Sequence, residues 1–193
     1  MNANWRIAVA DDELDMREYF EEVLPLLGHE VVSCAKTGKE LVERCLKLKP
    51  DLIITDIKMP EMDGLEAVAE IHKTELTPVI VTSAYHDSEL LERAGANHIL
   101  AYLVKPIKQA DLETAIAMAM SRFGEFQSLR KESSDLRQAL EDRKKIEKAK
   151  GILMKKTNLD EAEAFRKMQR LARSNNQKLV AIAESIITAE QAF

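Results

Sequence analysis

The 193-residue sequence predicts an α/β fold built on a five-stranded parallel sheet, followed by an all-α region with a coiled-coil stretch and a three-helix domain. Two observations carry that expectation. Up to about residue 122, short β-rich runs alternate with helical patterns, which is the signature of βαβ units. Over residues 111–156 the helical pattern then runs on, with Gly124 and Gly151 as its only glycines and no proline. Charge separates the two parts as well. Residues 1–124 carry 13 basic and 22 acidic groups, a net −9, whereas residues 125–193 carry 15 and 11, a net +4. Opposite charge implies different partners.

The expected strands are "RIAVA" (6–10), "EVVSC" (30–34), "DLIITD" (51–56), "PVIVTS" (78–83) and "AYLVKP" (101–106). Helical stretches near 14–27, 38–48, 64–74, 87–94 and 109–121 separate and follow them. Beyond these, Phe126, Leu129, Leu136 and Leu140 fit a heptad seam interrupted by Ser133. The register breaks at Arg143 and Lys144 and resumes with Ile146, Ala149 and Leu153, so the seam is short and marginal. "DEAE" (160–163) reads as a capping box opening a helix to about Arg173, and "SNNQ" (174–177) as the N-cap of a last helix to about Gln191. The expected domains are 1–122, a coiled-coil linker 123–142, and a helical domain 143–193.

No apolar run reaches the roughly 18 residues that cross a bilayer, and the N-terminus lacks the charged start and apolar centre of a signal peptide. A cytoplasmic protein without membrane contact is expected. Cys34 and Cys45 have no CxxC spacing and no neighbouring His pair, so they read as free thiols. His29, His72, His86 and His98 are scattered rather than set at ligand spacing; of these His86 lies nearest the residues discussed next.

In open α/β sheets the functional site lies beyond the carboxyl ends of the strands. Asp11 and Asp12 follow the first strand and Asp56 ends the third, so three carboxylates converge at one sheet edge. Such crowding calls for a positive charge between them, and a hard divalent cation such as Mg²⁺ suits oxygen ligands. Ser83 ends the fourth strand and Lys105, before Pro106, ends the fifth. A carboxylate nucleophile, a metal, a hydroxyl and a cation are the parts for moving a phosphoryl group onto an aspartate.

With "DDE" (11–13), "DIKMPEMDG" (56–64), "TS" (82–83) and "YLVKP" (102–106) in place, residues 5–122 resemble the receiver domain of two-component response regulators. The resemblance implies a flavodoxin-like (CheY-like) fold and a sensor histidine kinase as partner. It implies Asp56 as phospho-acceptor, and Asp11, Asp12, Asp56 and the Lys58 carbonyl around Mg²⁺. Ser83 and Tyr102 would be the switch pair and Lys105 the phosphate partner, with a Lys105-Pro106 bond that is usually cis. One departure is "NHILA" (97–101) between "GA" (95–96) and Tyr102, where the family typically has one or two residues.

The second half centres on "IEKAKGILMKK" (146–156), an apolar stripe wrapped in lysines. Gly151, mid-helix, costs about 1 kcal/mol relative to Ala, which suggests that a backbone or ligand approaches closely there. Lys148, Lys150 and Lys155 broaden the positive surface, and Arg166, Lys167, Arg170 and Arg173 form a stripe on the next helix. With "RKKIEKAKGILM" (143–154), "DEAEAFRKMQRLA" (160–172) and "NQKLVAIAESII" (176–187), this region resembles the ANTAR domain of AmiR- and NasR-type antiterminators. The resemblance implies binding to paired stem-loops in nascent RNA. Expected contacts are Arg143, Lys148, Lys150, Gly151, Lys155, Arg166, Arg170, Arg173, Asn175 and Asn176, with lysines and arginines on phosphates and bases read in single-stranded loops.

Together the halves suggest a phosphorylation-switched homodimer acting as a transcription antiterminator, with self-phosphorylation at Asp56 as its only chemistry and no further enzyme activity. A DNA-binding regulator is the first alternative, although "KLVAIAESII" (178–187) is apolar for a recognition helix. A protein-interaction adaptor or phosphate sink is the second.

Overall fold

The computed structural model describes residues 4–84 and 99–191. All five β-rich runs form strands: β1 (Arg6–Ala10), β2 (Glu30–Ala35), β3 (Leu52–Asp56), β4 (Val79–Ser83) and β5 (Ile99–Val104). They pair in parallel in the order β2-β1-β3-β4-β5. The direction of winding reverses between β1 and β3, and it is there that loops diverge and leave a crevice. The helices among the described residues are α1 (Leu14–Leu26), α2 (Gly38–Leu48), α3 (Gly64–His72), α4 (Gln109–Thr157), α5 (Glu161–Ser174) and α6 (Leu179–Gln191). The helix expected at 87–94, with His86 and His98, lies outside the described residues.

Side-chain alternation along the strands creates two cores. Ile7, Val9, Leu52, Ile54 and Ile80 face one side, covered by Phe20, Val23 and Leu24 of α1 and by Leu112, Ala115, Ile116 and Ala119 of α4. Ala8, Ala10, Ile53, Val79 and Val81 face the other, beneath Leu41 and Cys45 of α2 and Leu65, Val68 and Ile71 of α3. Burying each Leu, Ile or Phe contributes about 1.5–3 kcal/mol, so a sheet wetted on one side would lose half of that total. Every residue of β3 and β4 is accordingly buried.

Local signals start and stop the helices. Thr37 Oγ1 accepts from Glu40 N at 3.2 Å to open α2, and Asp63 with Glu66 forms a capping box at α3. Gly28 (φ 86°) follows α1, and Lys49 (φ 48°) ends α2 in the left-handed region. Cys34 and Cys45 are free thiols, and burial pushes both up to about 12.

β5 differs from the expectation. It starts at Ile99, two residues before the run at 101–106, so Ile99, Leu100 and Ala101 of "NHILA" are strand. Val79 pairs with Ile99 and Ile80 with Ala101, and the register shift between them takes up the extra residue. The strand ends at Val104, and the Lys105-Pro106 peptide after it is cis.

The chain divides into two compact units, Met1–Phe126 and Gln127–Phe193. In the second, Ala149 of α4, Met168 and Ala172 of α5, and Ile182 and Ala183 of α6 form a core flanked by Ile146, Leu153, Leu179, Ile186 and Ile187. Asn158 (φ 54°) follows the end of α4, and Asp160 with Glu163 caps α5 in a reciprocal box. "SNNQ" has a different job from the one expected. Asn176 sits at φ 51°, its N–H donates to Arg173 O at 3.3 Å, and Gln177 N–H donates to Ala172 O at 2.9 Å. That is a Schellman closure of α5, for which an asparagine tolerant of left-handed backbone is suited. α6 begins only at Leu179, with the Lys178 carbonyl accepting from Ala181 and Ile182.

Candidate functional site

The carboxyl ends of β1, β3 and β5 bring one lysine and several acids together. Asp11, fully buried after β1, donates its N–H to Ala35 O at 3.1 Å and accepts from Glu13 N at Oδ1 at 3.0 Å. Arg17 of α1 donates to the carbonyls of Asp11 and Asp12 at 2.8 and 2.9 Å, which fixes the turn carrying them. Asp56 is held at both oxygens: Oδ1 accepts the Ile57 N–H at 2.7 Å, and Oδ2 the Lys105 ammonium at 3.0 Å. Its backbone is pinned too. Thr55 Oγ1 donates to the Asp56 carbonyl at 2.9 Å, and a Cβ on Gly64 would lie 2.0 Å from that carbonyl oxygen. Only glycine lets α3 start against the acid.

Lys105 Nζ also lies 2.9 Å from Asp11 Oδ2 and 3.0 Å from Glu13 Oε1. Burial by itself would lower the pKa of this amine, but the surrounding carboxylates outweigh it and hold Lys105 above the ordinary lysine range. Burial raises Asp11 above its usual value even though Lys105 and the Glu13 N–H pull it down. The cluster therefore has more negative charge than its lysine neutralises. Asp11, Asp12, Glu13 and Asp56 each bring a carboxylate oxygen into a group within 4.8 Å. An all-oxygen donor set with surplus anionic charge fits a hard divalent cation.

Ser83 is buried at the end of β4, and its carbonyl accepts the Lys105 N–H at 2.9 Å. Tyr102, half-buried on β5, packs on the core beneath α2 and α3 and pairs in register with Val81, two residues before Ser83. Lys58 lies exposed on the loop after β3. Glu13 and Thr82 stand within the motifs "DDE" and "TS" but received no role from the sequence, and Arg17 was not singled out at all. Glu13 closes the triad around Lys105, a contact spanning 92 residues that no local pattern announces. Thr82 pairs in register with Asp56, is fully buried, and its Oγ1 has no hydrogen-bond partner among the described residues.

In the second unit the basic residues separate into two classes. Lys150, expected to offer open charge, is instead 8% exposed, with Nζ 2.6 Å from Glu147 Oε2 and 2.7 Å from Glu161 Oε1. Those carboxylates hold Lys150 above the usual lysine range and tie α4 to the start of α5. Lys145 pairs with Glu184 of α6 at 2.6 Å, and Lys156 pairs with Glu190. These lysines stitch the three helices together. By contrast Arg143, Lys148 and Lys155 are exposed and make no ion pair among the described residues. Arg166, Arg170 and Arg173 line a cleft of about 520 Å³ on α5 with Leu159, Glu163 and Gln169. Asn175 and Asn176 are exposed, but their backbone serves the end of α5. Gly151 has nothing within 4 Å of where a Cβ would stand, so the expected close approach by this chain's own described backbone is absent.

No helix of the described residues is long and apolar enough to cross a membrane. Comparison with known proteins accounts for both units. Residues 7–117 match the family model of the response regulator receiver domain, and residues 134–187 match that of the ANTAR domain. The chain is 40% identical over 182 residues to the transcriptional regulatory protein PdtaR of Mycobacterium tuberculosis H37Rv, covering 94% of this chain and 89% of that one. It is 34% identical over 141 residues to the regulatory protein AtoC of Escherichia coli K12, covering 72% of this chain and 30% of that one. The crystal structure of the response regulator domain of Thermotoga maritima CheB superposes with a TM-score of 0.57 at 31% identity, covering 62% of this chain and 98% of that one. The chain thus belongs to the response regulators, as a receiver domain followed by an ANTAR domain.

Proposed function

We propose that this response regulator takes a phosphoryl group on Asp56 from a sensor histidine kinase. In that state it pairs with a second copy and binds paired stem-loops in nascent RNA in the cytoplasm, favouring an antiterminator over a terminator hairpin. The observation that carries the reading is the doubly held Asp56 carboxylate beside Lys105, in a chain whose other unit displays unpaired cationic side chains. The transfer breaks the P–N bond of a phosphohistidine and forms a P–O bond to an Asp56 oxygen, with Lys105 at hand to pair with the transferred group. Asp11, Asp12, Glu13 and Asp56, with the Lys58 carbonyl, would hold Mg²⁺, which when bound neutralises charge on the phosphoryl oxygens.

Phosphorylation adds a charge of about −1.5 to −2 and three strong acceptors. The Ser83 hydroxyl turns to donate to the new group, and Tyr102 moves into the space released. Leu129, Leu136 and Leu140 are 65%, 62% and 58% exposed, a face suited to a second copy. In that heptad Glu125 and Glu132 occupy g positions and Arg130 and Arg137 e positions, so a parallel partner helix sets each glutamate against an arginine. A seam this short is marginal, which allows a few kcal/mol from the receiver to tip it.

The test uses hairpin RNA, duplex DNA and acetyl phosphate. Wild type should gain dimer mass by light scattering and retard hairpin RNA when phosphorylated, whereas Asp56→Asn should do neither. Retardation of duplex DNA instead would establish a DNA regulator, and binding of neither nucleic acid an adaptor. Identical behaviour of Asp56→Asn and wild type would refute the switch.

A further inference from the structure

Thr82 carries a hydroxyl for which packing gives no reason. It is 0% exposed, and its Oγ1 has no hydrogen-bond partner among the described residues. Valine has nearly the same shape and the same preference for a strand, so an idle buried hydroxyl here only weakens the receiver unit. Its surroundings are not ordinary core. On β4, Ile80 faces the α1 and α4 side of the sheet and Val81 the other, which returns Thr82 to the first side. The same alternation puts Asp56 on that side two residues after Ile54, and Asp56 and Thr82 are partners in register. Lys105 stands two residues after Leu103, the register partner of Thr82 on β5. Since β4 lies between β3 and β5, the Lys105 side chain reaches Asp56 Oδ2, 3.0 Å from its Nζ, only by crossing the end of β4. Thr82 therefore lies between the acid and its lysine.

An ammonium has three N–H donors, and carboxylate oxygens of Asp11, Glu13 and Asp56 stand 2.9, 3.0 and 3.0 Å from Lys105 Nζ. Against three anions a neutral hydroxyl does not compete. A phosphoryl group on Asp56 alters that balance, because it draws the ammonium away from Asp11 and Glu13. We propose that Thr82 is a positioning residue for Lys105: its hydroxyl accepts one N–H of the ammonium when the lysine turns from the carboxylates to the phosphoryl group, and so steadies the charge at the end of β4. No bond is made or broken at Thr82. The proposal rests on phosphorylation of Asp56 and names a further partner of the lysine in that state.

The experiment follows labelling of the full chain by radioactive acetyl phosphate in Mg²⁺, with thermal melting of the unlabelled chain alongside, for wild type, Thr82→Val, Thr82→Ser and Ser33→Ala. Ser33 is the control. It is 7% exposed and its Oγ also lacks a partner among the described residues, but it pairs with Ala8, which faces the α2 and α3 side. Thr82→Val and Ser33→Ala should each melt about 2–6 °C above wild type, because an unpaired buried hydroxyl is gone. Thr82→Ser should melt lower, since it loses a buried methyl. Labelling should follow a different order. Thr82→Val should label about tenfold more slowly, the worth of roughly one hydrogen bond to a charged group, while Thr82→Ser and Ser33→Ala stay within about twofold of wild type. In a Lys105→Met background, assayed below its melting range, Thr82→Val should slow labelling no further. Wild-type labelling in Thr82→Val would overturn the proposal. So would a lower melting temperature of that variant, which means that the hydroxyl already has a partner, or equal slowing in Thr82→Ser, which makes shape the requirement. An equal loss with and without Lys105 would also overturn it, because Thr82 then acts by another route. If wild type itself takes no label, the reading of Asp56 fails before any variant is compared.

Discussion

Replacing Lys105 by methionine removes the cation that bridges Asp11, Glu13 and Asp56 while keeping most of its volume. At an effective dielectric of about 20, a contact near 3 Å is worth about 5 kcal/mol before desolvation. The Glu13 contact deserves little of that, because its side chain is 59% exposed. Asp11 and Asp56 are different: their side chains are 0% and 9% exposed, and that of Lys105 only 10%. Removing one partner of a buried pair costs about 3–5 kcal/mol, because the charge left behind stays desolvated. Here two carboxylates remain, with oxygens within 4.8 Å of each other. We expect Lys105→Met to lose about 3 kcal/mol in EDTA at pH 7, lowering the first unit's melting temperature by about 10–15 °C. Adding Mg²⁺ should recover more of this loss in the variant than it adds to wild type.

The pH dependence provides a second arm. The folded-state pKa of Asp11 is raised above 3.8, so its burial is without penalty below 3.8 and costs stability progressively as pH rises to the folded value. Without Lys105 that value rises further. The deficit of the variant should therefore shrink as pH falls from neutral toward the range in which Asp11 takes up its proton. A variant that melts within about 2 °C of wild type in EDTA at pH 7, with no dependence on pH or Mg²⁺, would refute the account of the cluster.

Two further predictions test the supports of the site and the dimer. Gly64→Ala would push a methyl against the Asp56 carbonyl, so a loss of about 1–3 kcal/mol and slower labelling by acetyl phosphate are expected; wild-type stability and labelling in this variant would contradict the packing. Leu136→Lys should leave the melting of both units nearly unchanged, since Leu136 is 62% exposed, yet abolish the phosphorylation-dependent gain in mass; persistent dimer in sedimentation velocity would remove the coiled coil from the mechanism.

Much of the receiver was legible because its signals are local. β3 and β4 read as unbroken apolar runs because both faces are covered, and a strand's end marks where the next residue meets the crevice. Asp11, Asp56, Ser83 and Lys105 could thus be assigned to one edge from strand ends alone, and the capping box at Asp160 needed only residues three apart. The start of β5 was misjudged because a bulge, which is set by the partner strand, absorbed the extra residue. "SNNQ" was misread because the same polar residues serve a helix end or a helix start, and only the backbone at Asn176 decides between them.

By itself the sequence determined the alternation of strands and helices, the acids at strand ends, and the split between an acidic half and a basic one, because periodicity and charge are properties of neighbours along the chain. Which charges are neutralised across long separations was a decision of tertiary structure. Lys105 meets Glu13 across 92 residues, Lys145 meets Glu184 across 39 and Lys150 meets Glu161 across 11. Glu147 stands three residues before Lys150, a helical spacing that Lys148 and Lys155 lack, but the second carboxylate on Lys150, from Glu161, arrives only when α5 packs against α4, because a long-range ion pair depends on distances in space.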